Sequence, residues 1–223
     1  MPDINIETVS GQALRPWLDA LARLRIRVFR EWPYLYEGSE AYEREYLGMY
    51  AASPRSLMVL ALDGDQVIGA SSGLPLRDAE VEFQAPFAAR GVALEDVFYF
   101  GESVLDARYR GHGLGHRFFD AREAFAHAHG FAITTFCAVQ RPADHPARPA
   151  HYRPLDAFWQ GRGYQRQPGM LTHFPWRDIG DAAQTDKPMQ FWTRGLPSVS
   201  SQGDGGDTGI LESQSGRQGG QQR

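Results

Sequence analysis

A chain of 223 residues with ordinary apolar and charged fractions is long enough for one full domain with a sizeable core. Its formal net charge of −4 gives no support to nucleic acid or an anionic membrane as a partner. A single cysteine, Cys137, excludes an internal disulfide, and with no long apolar run and no signal-peptide pattern in MPDINIETVS the expected setting is cytoplasmic.

In chain order, residues 4–9 alternate apolar and polar and predict a short strand. Ser10 is the expected N-cap of a helix over 12–29, with Leu14, Leu18, Leu21, Leu24 and Val28 on its apolar stripe. An aromatic loop follows at 31–38, and Ser39 caps a second helix over 40–51. Two strands at 56–62 and 66–74 join at Asp63-Gly64-Asp65, a hairpin signal. Residues 81–89 read as a short helix on an inserted connection. A strand over 97–105 then runs into a glycine-rich turn and a helix over 113–129, whose buried face is expected at Leu114, Phe118, Ala121, Phe125 and Ala128. The remainder reads as a strand at 131–139, a proline-rich loop at 141–154, a helix at 155–162 stopped by Gly163, and strands at 164–174 and 189–194. The organisation is one domain over 1–196 and a disordered Gly/Ser/Gln-rich tail over 197–223.

The turn Arg110-Gly111-His112-Gly113-Leu114-Gly115 is the chemical centre of the sequence. Glycines let backbone N–H groups approach a phosphate, and the following helix adds its dipole, so a pyrophosphate is expected there. The turn lacks the Gly-Lys-Ser/Thr ending of a P-loop, and it comes too late in the chain for a Rossmann fingerprint. His112 and His116 stand four apart, but no HExxH and no nearby cysteine accompany them, so no metal is expected. Cys137, in an apolar strand without an activating base, reads as a small buried hydrophobe.

At this point the chain resembles the Gcn5-related N-acetyltransferase (GNAT) superfamily. That family's phosphate motif, Arg/Gln-x-x-Gly-x-Gly/Ala, is matched at residues 110–115 and in a second register at 108–113. A second likeness is Phe158-Trp159-Gln160-Gly161-Arg162-Gly163-Tyr164, similar to the family's Tyr-x-x-x-Gly-Phe box. The order of elements agrees as well. The resemblance covers residues 4–196 and implies an α/β (α+β) fold, with a mixed, mostly antiparallel sheet flanked by helices. It also implies direct acyl transfer from acetyl-CoA to a primary amine on a small molecule or peptide. The alternative is a catalytically silent acyl-CoA sensor or interaction module.

The resemblance assigns roles residue by residue. The amides of Arg110, Gly111, His112, Gly113, Leu114 and Gly115 would hold the CoA pyrophosphate, with Arg110 and Arg117 adding charge. Main-chain groups of Val104 and Leu105 would run beside the pantetheine. Glu102 is the amine-facing carboxylate, in an expected neighbourhood of Phe98, Phe100 and Val104 that would suit a base near neutral pH. Trp159 stands where the family's proton-donating tyrosine is usual, and an indole cannot protonate a thiolate. Tyr152, a water or no acid at all are the replacements. Trp32, Tyr34 and Tyr36 fall in the connection that lines the family's acceptor site, or else pack across helix ends.

Overall fold

The computed structural model describes residues 4–195, so the tail expected over 197–223 lies outside the described residues. Its strands are β1 (Ile4–Val9), β2 (Leu57–Asp63), β3 (Gln66–Pro75), β4 (Val97–Tyr99), β5 (Ser103–Leu105), β6 (Ile133–Val139), β7 (Gln165–Trp176) and β8 (Thr185–Arg194). Its α-helices are α1 (Leu18–Phe29), α2 (Glu40–Ala52), α3 (Val81–Ala88), α4 (Leu114–Ala128) and α5 (Asp156–Gly161). The sheet runs β1-β2-β3-β4-β6-β8-β7, with β5 also paired to β3. Every pairing is antiparallel except β4 with β6. This is the mixed, mostly antiparallel sheet flanked by helices that the sequence predicts.

Helices cover both faces, and the sequence of β2 shows why that is needed. Met58, Leu60 and Leu62 pack with α1 and α2 on one side, while Leu57, Val59 and Ala61 pack with α4 on the other. A strand buried on both faces reads as a continuous apolar run. The helix expected over 12–29 is split instead. Gly11–Trp17 is a 3-10 turn containing Pro16, and α1 begins at Leu18. Proline lacks the N–H an α-helix interior requires, so the regular helix starts beyond it. Ser10 makes no side-chain cap, whereas Ser39 accepts from the Tyr42 N–H at the start of α2. On α4 the buried residues include Arg122 and Ala126, and Ala128 is exposed, contrary to expectation.

The strand expected over 97–105 is interrupted. Tyr99 stands opposite Leu74 and Ser103 opposite Ser71, so four steps along one strand answer three along the other. The extra residue is absorbed as a bulge at Phe100-Gly101-Glu102. It inverts the alternation of faces. Phe98 and Phe100 belong to the α4-side core, but Glu102 and Val104 point to the α1–α2 side. The apolar neighbourhood expected around Glu102 is therefore corrected, because strict alternation does not survive the bulge. β4 stays paired with β6 through Tyr99 and Thr135, and the Phe100 N–H reaches the Thr135 carbonyl at 2.7 Å. Beyond that point β5 pairs with β3 alone, so the two central strands part after Phe100, earlier than Leu105. No helix among the described residues is long and apolar enough to cross a membrane.

Gly101 sits at the apex of the bulge. A Cβ there would overlap the buried Tyr50 hydroxyl and come within 2.7 Å of Ser72 Oγ. Gly101→Ala is expected to cost about 1–3 kcal/mol, the usual cost of overpacking, read as a lowered midpoint in urea unfolding.

Candidate active site

The glycine turn leaves β5 through Asp106. The Asp106 carboxylate accepts from the Arg108 N–H at 3.1 Å and from the Arg108 guanidinium at 2.9 and 3.1 Å, which fixes the 3-10 turn Ala107–Tyr109. Gly111 and Gly113 then adopt φ of +83° and +77°, backbone that side chains rarely enter. No atom lies within 4 Å of where a Cβ would sit at either, so the turn presents bare backbone. Leu114 opens α4 with no side-chain cap and no acidic residue in its first turn, so the positive end of the helix is uncompensated. A phosphate would meet no competing carboxylate there.

The side chains expected to add charge are engaged elsewhere. Arg117 donates to the Ile4 carbonyl at 3.2 Å, and Arg110 is ion-paired with Glu31 at 2.7 Å while donating to the Leu105 carbonyl at 3.1 and 3.2 Å. His112 lies against the Tyr109 carbonyl, and His116 lies beside Arg162. Along β5 the pleat decides which main-chain groups are free. The Ser72 N–H donates to the Glu102 carbonyl and the Asp106 N–H donates to the Ile68 carbonyl, both across to β3. Val104, between them and opposite Ala70, turns its amide and carbonyl the same way. Ser103 and Leu105 therefore hold the open edge, so that of the expected pair only Leu105 offers its main chain to the gap.

On the other side of the bulge lies a cavity of about 440 Å³. Glu102 lines it, with Arg25, Glu43, Tyr34, Tyr36 and Tyr46 among its other walls. Arg25 is buried between the two carboxylates: it pairs with Glu43 and reaches Glu102 at 2.7 Å. Burial opposes its charge, but Glu102, Tyr46 and Glu43 hold its pKa well above the ordinary arginine value. The guanidinium also stacks over the Tyr46 ring at 4.4 Å. The Tyr46 hydroxyl donates to Glu102 at 3.4 Å. Burial, then neighbouring negative groups, raises the phenols of Tyr34, Tyr36 and Tyr46, so they stay neutral donors.

A second buried arginine holds the bulge from the α4 side. Arg122 donates to the carbonyls of Phe118, Ser72 and Glu102 at 3.2, 3.4 and 3.2 Å, and to Ser103 Oγ at 2.9 Å. It lies between the Phe100 and Phe119 rings, and burial pushes its pKa down to about 10.

The aromatic loop is pinned from below. Arg141 donates to the carbonyls of Pro33 and Tyr34 and forms a bidentate pair with Asp178 at 2.6 and 2.9 Å. Lys187, the only lysine of the chain, is buried against the same Asp178 at 3.4 Å. This strut turns Tyr34 and Tyr36 into the cavity. Trp32 points away from it, packing on His145 and Tyr152 at ring distances of 5.1 and 5.9 Å. Tyr152 is thus held with Trp32 and not among the walls around Glu102. Trp159 packs on Phe136 and Trp192 at 5.0 and 5.2 Å, half-buried against the α4-side core. Cys137 is buried beside the Tyr99 hydroxyl, and burial pushes its thiol up to about 12.

The charged residues that sequence reasoning missed are Arg25, Glu43, Arg122, Arg141 and Asp178. Three of them carried a readable signal. Arg25 follows Leu21 by four, Glu43 precedes Leu47 by four, and Arg122 follows Phe118 by four, so each sits in an apolar stripe. Among the described residues no three His, Cys, Asp or Glu side chains gather as a metal site.

The model of the acetyltransferase (GNAT) family matches residues 20–156. Among solved structures, ribosomal-protein-alanine N-acetyltransferase from Brucella melitensis is 13% identical with a TM-score of 0.54, over 86% of this chain and 99% of that one. An acetyltransferase from Streptococcus agalactiae is 14% identical with a TM-score of 0.55, over 88% and 100%. A polyamine N-acetyltransferase from Drosophila melanogaster, which forms N-acetylagmatine, is 13% identical with a TM-score of 0.53, over 87% and 100%. At these identities the likeness is one of fold. No curated protein matches the sequence.

The Asp106 turn makes the entry to the glycine loop acid-sensitive. Hydrogen bonds from Arg108 outweigh burial and hold the Asp106 carboxyl at about 2. A carboxyl depressed on folding stabilises the fold above its unfolded value of about 3.9, and that contribution is lost as pH falls through about 2. Wild-type stability is expected to drop between pH 4 and pH 2 by more than that of Asp106→Asn, measured by urea unfolding at each pH.

Proposed function

The chain belongs to the acetyltransferase (GNAT) family, and from that premise we propose that it moves an acetyl group from acetyl-CoA directly to a primary amine. The observation that carries the proposal is the continuity of one segment. Glu102 faces the cavity, Ser103 and Leu105 offer the open edge, and Asp106 leads straight to the bare glycine backbone at Gly111 and Gly113. Amine, thioester and pyrophosphate thus have adjoining places on either side of the strand separation.

The residues present fit the acyl donor. Loop amides from Arg110 to Gly115 and the start of α4 take the pyrophosphate. Ser103 and Leu105 pair with the pantetheine amides, which requires Arg110 to release the Leu105 carbonyl it holds at 3.1 Å. Once released, Arg110 is free for a phosphate, and Arg117 remains a more distant source of charge. On the cavity side, Glu102 takes a proton from the entering ammonium, because only the neutral amine is a nucleophile. The nitrogen attacks the thioester carbonyl carbon, a C–N bond forms and the C–S bond breaks. The Ser103 N–H, on the open side of β5, stabilises the negative charge that develops on the carbonyl oxygen. After attack the nitrogen gives a second proton to water and the departing sulfur takes one from water, so an amide and a free thiol form while the ammonium's first proton stays on Glu102. Tyr152 receives no part in this step, since it packs against Trp32 outside the cavity. Arg25 keeps the Glu102 carboxylate in place by the 2.7 Å contact.

Release of free thiol from acetyl-CoA in the presence of primary amines tests the reading. Glu102→Gln is expected to lower kcat by about 10²–10⁴ while acetyl-CoA binds within about twofold of wild type by calorimetry. Full activity in that variant removes Glu102 from the chemistry. Tight acetyl-CoA binding without turnover on any acceptor favours a silent sensor, and absence of binding defeats the assignment of the glycine loop.

A further inference from the structure

We infer that the acceptor is a small primary amine with one positive charge and an aromatic ring, an arylalkylamine, bound in the cavity beside Glu102. The inference rests on the amine-transfer reading and narrows it by three features of the cavity: its charge, its walls and its size.

Charge comes first. The ionised side chains lining the cavity are Glu37, Glu43 and Glu102 against Arg25 and Arg177, an excess of one negative charge. Both arginines are already paired, Arg25 with Glu43 and Glu102, and Arg177 with Glu37 at 3.4 Å. A substrate carboxylate would find no unpaired cation, so an amino acid is disfavoured. A second substrate cation would find only Glu37, which Arg177 holds, so a diamine is disfavoured too. One ammonium balances the site. Glu43 supplies an independent sign of the same thing. Its side chain is fully buried, Oε2 accepts from Arg25, and Oε1 has no well-aligned donor, with the Tyr36 hydroxyl beside the carboxylate. A buried carboxylate oxygen so poorly satisfied is costly, and a bound ammonium supplies a charged donor.

The walls specify the rest of the molecule. Phe83 lies nearly parallel to both Tyr99 and Phe174, at ring distances of 4.9 and 5.4 Å. Tyr34 packs on Trp176 at 5.8 Å, and all five of these rings line the cavity. A flat ring extends such a wall by offset or edge contact, which a flexible alkyl chain does not. Tyr46 already seats one cation, the Arg25 guanidinium, so a ring face beside Glu102 suits positive charge. A volume of about 440 Å³ is near the lower end of the range for small-molecule sites, about 300–1,000 Å³.

The test compares kcat/KM for 2-phenylethylamine, n-octylamine, phenylalanine, 1,4-diaminobutane and an alanine-initiated tripeptide at fixed acetyl-CoA. Equal carbon number in the first two isolates the ring. The arylalkylamine is expected to exceed octylamine by about tenfold and phenylalanine by about a hundredfold. Phenylalanine, the diamine or the tripeptide matching or surpassing it overturns the inference. Calorimetry with 2-phenylethylamine and 2-phenylethanol, with CoA present, keeps the question separate from catalysis. Preferred binding of the amine with no turnover supports the acceptor class while the transfer reading fails, and equal binding overturns the class. Glu43→Gln should abolish the preference for amine over alcohol. Phe174→Leu, at a half-buried ring of that wall, should lower kcat/KM for 2-phenylethylamine about fivefold more than for octylamine; an equal loss for both amines counts against the aromatic wall.

Discussion

At Phe100-Gly101-Glu102 one strand carries a residue more than its neighbour, and the backbone groups set out of register there must find partners. Ser72 supplies three of them, its N–H to the Glu102 carbonyl, its hydroxyl to the Glu102 N–H and its carbonyl to the Gly101 N–H. Arg122 adds two donors from the far side of the sheet, to the Ser72 and Glu102 carbonyls. A fully buried guanidinium is costly, as its pKa near 10 shows, and few groups could replace it. Five donors in a planar fork reach carbonyls on two strands and a hydroxyl at once. The bulge thereby holds a fixed shape. The parting of β4 from β6, the open edge of β5 and the direction of Glu102 all follow from that shape.

The same point explains where the charged groups lie. Arg25 on α1, Glu43 on α2 and Arg122 on α4 each occupy a position that periodicity reserves for an apolar side chain. Helices tolerate this because the three converge on one polar spot in an otherwise apolar sandwich. Arg25 and Glu43 answer Glu102 on one face, and Arg122 answers its carbonyl on the other. The aromatic loop is tied to that arrangement from a distance by Arg141 and Asp178, two residues on connections whose sequences carry no periodic signal.

Legibility in the sequence divided along physical lines. Strands and helices with a clear period of two or near 3.6 were readable, as was the hairpin at Asp63-Gly64-Asp65. The glycine turn was readable because φ near +80° at Gly111 and Gly113 is a local demand, met by local residue choice. The resemblance carried the fold. The bulge was not readable, since a one-residue excess depends on pairing with β3, a partner about 30 residues away. With it went the facing of Glu102 and the roles of Val104 and Ser103. Pro16 did carry its signal, and the periodicity of the flanking leucines masked it. Trp32 and Tyr152 were chosen by position in the chain, and tertiary packing joined them to each other instead of to the cavity.

The buried Lys187 has a consequence for chemistry that no enzyme directs. Thioesters acylate exposed lysine amines spontaneously, given time and concentration. This chain has one lysine among 23 basic residues, and it is 6% exposed, clamped between Asp178 and the Trp176 carbonyl. Arginine stays protonated and does not compete as a nucleophile. The described surface thus offers no exposed lysine amine to a thioester, whatever favoured arginine in the sequence. Amine-reactive dyes and cross-linkers will find no lysine handle on the folded protein, whereas they would acquire one if the strut beneath the aromatic loop came apart.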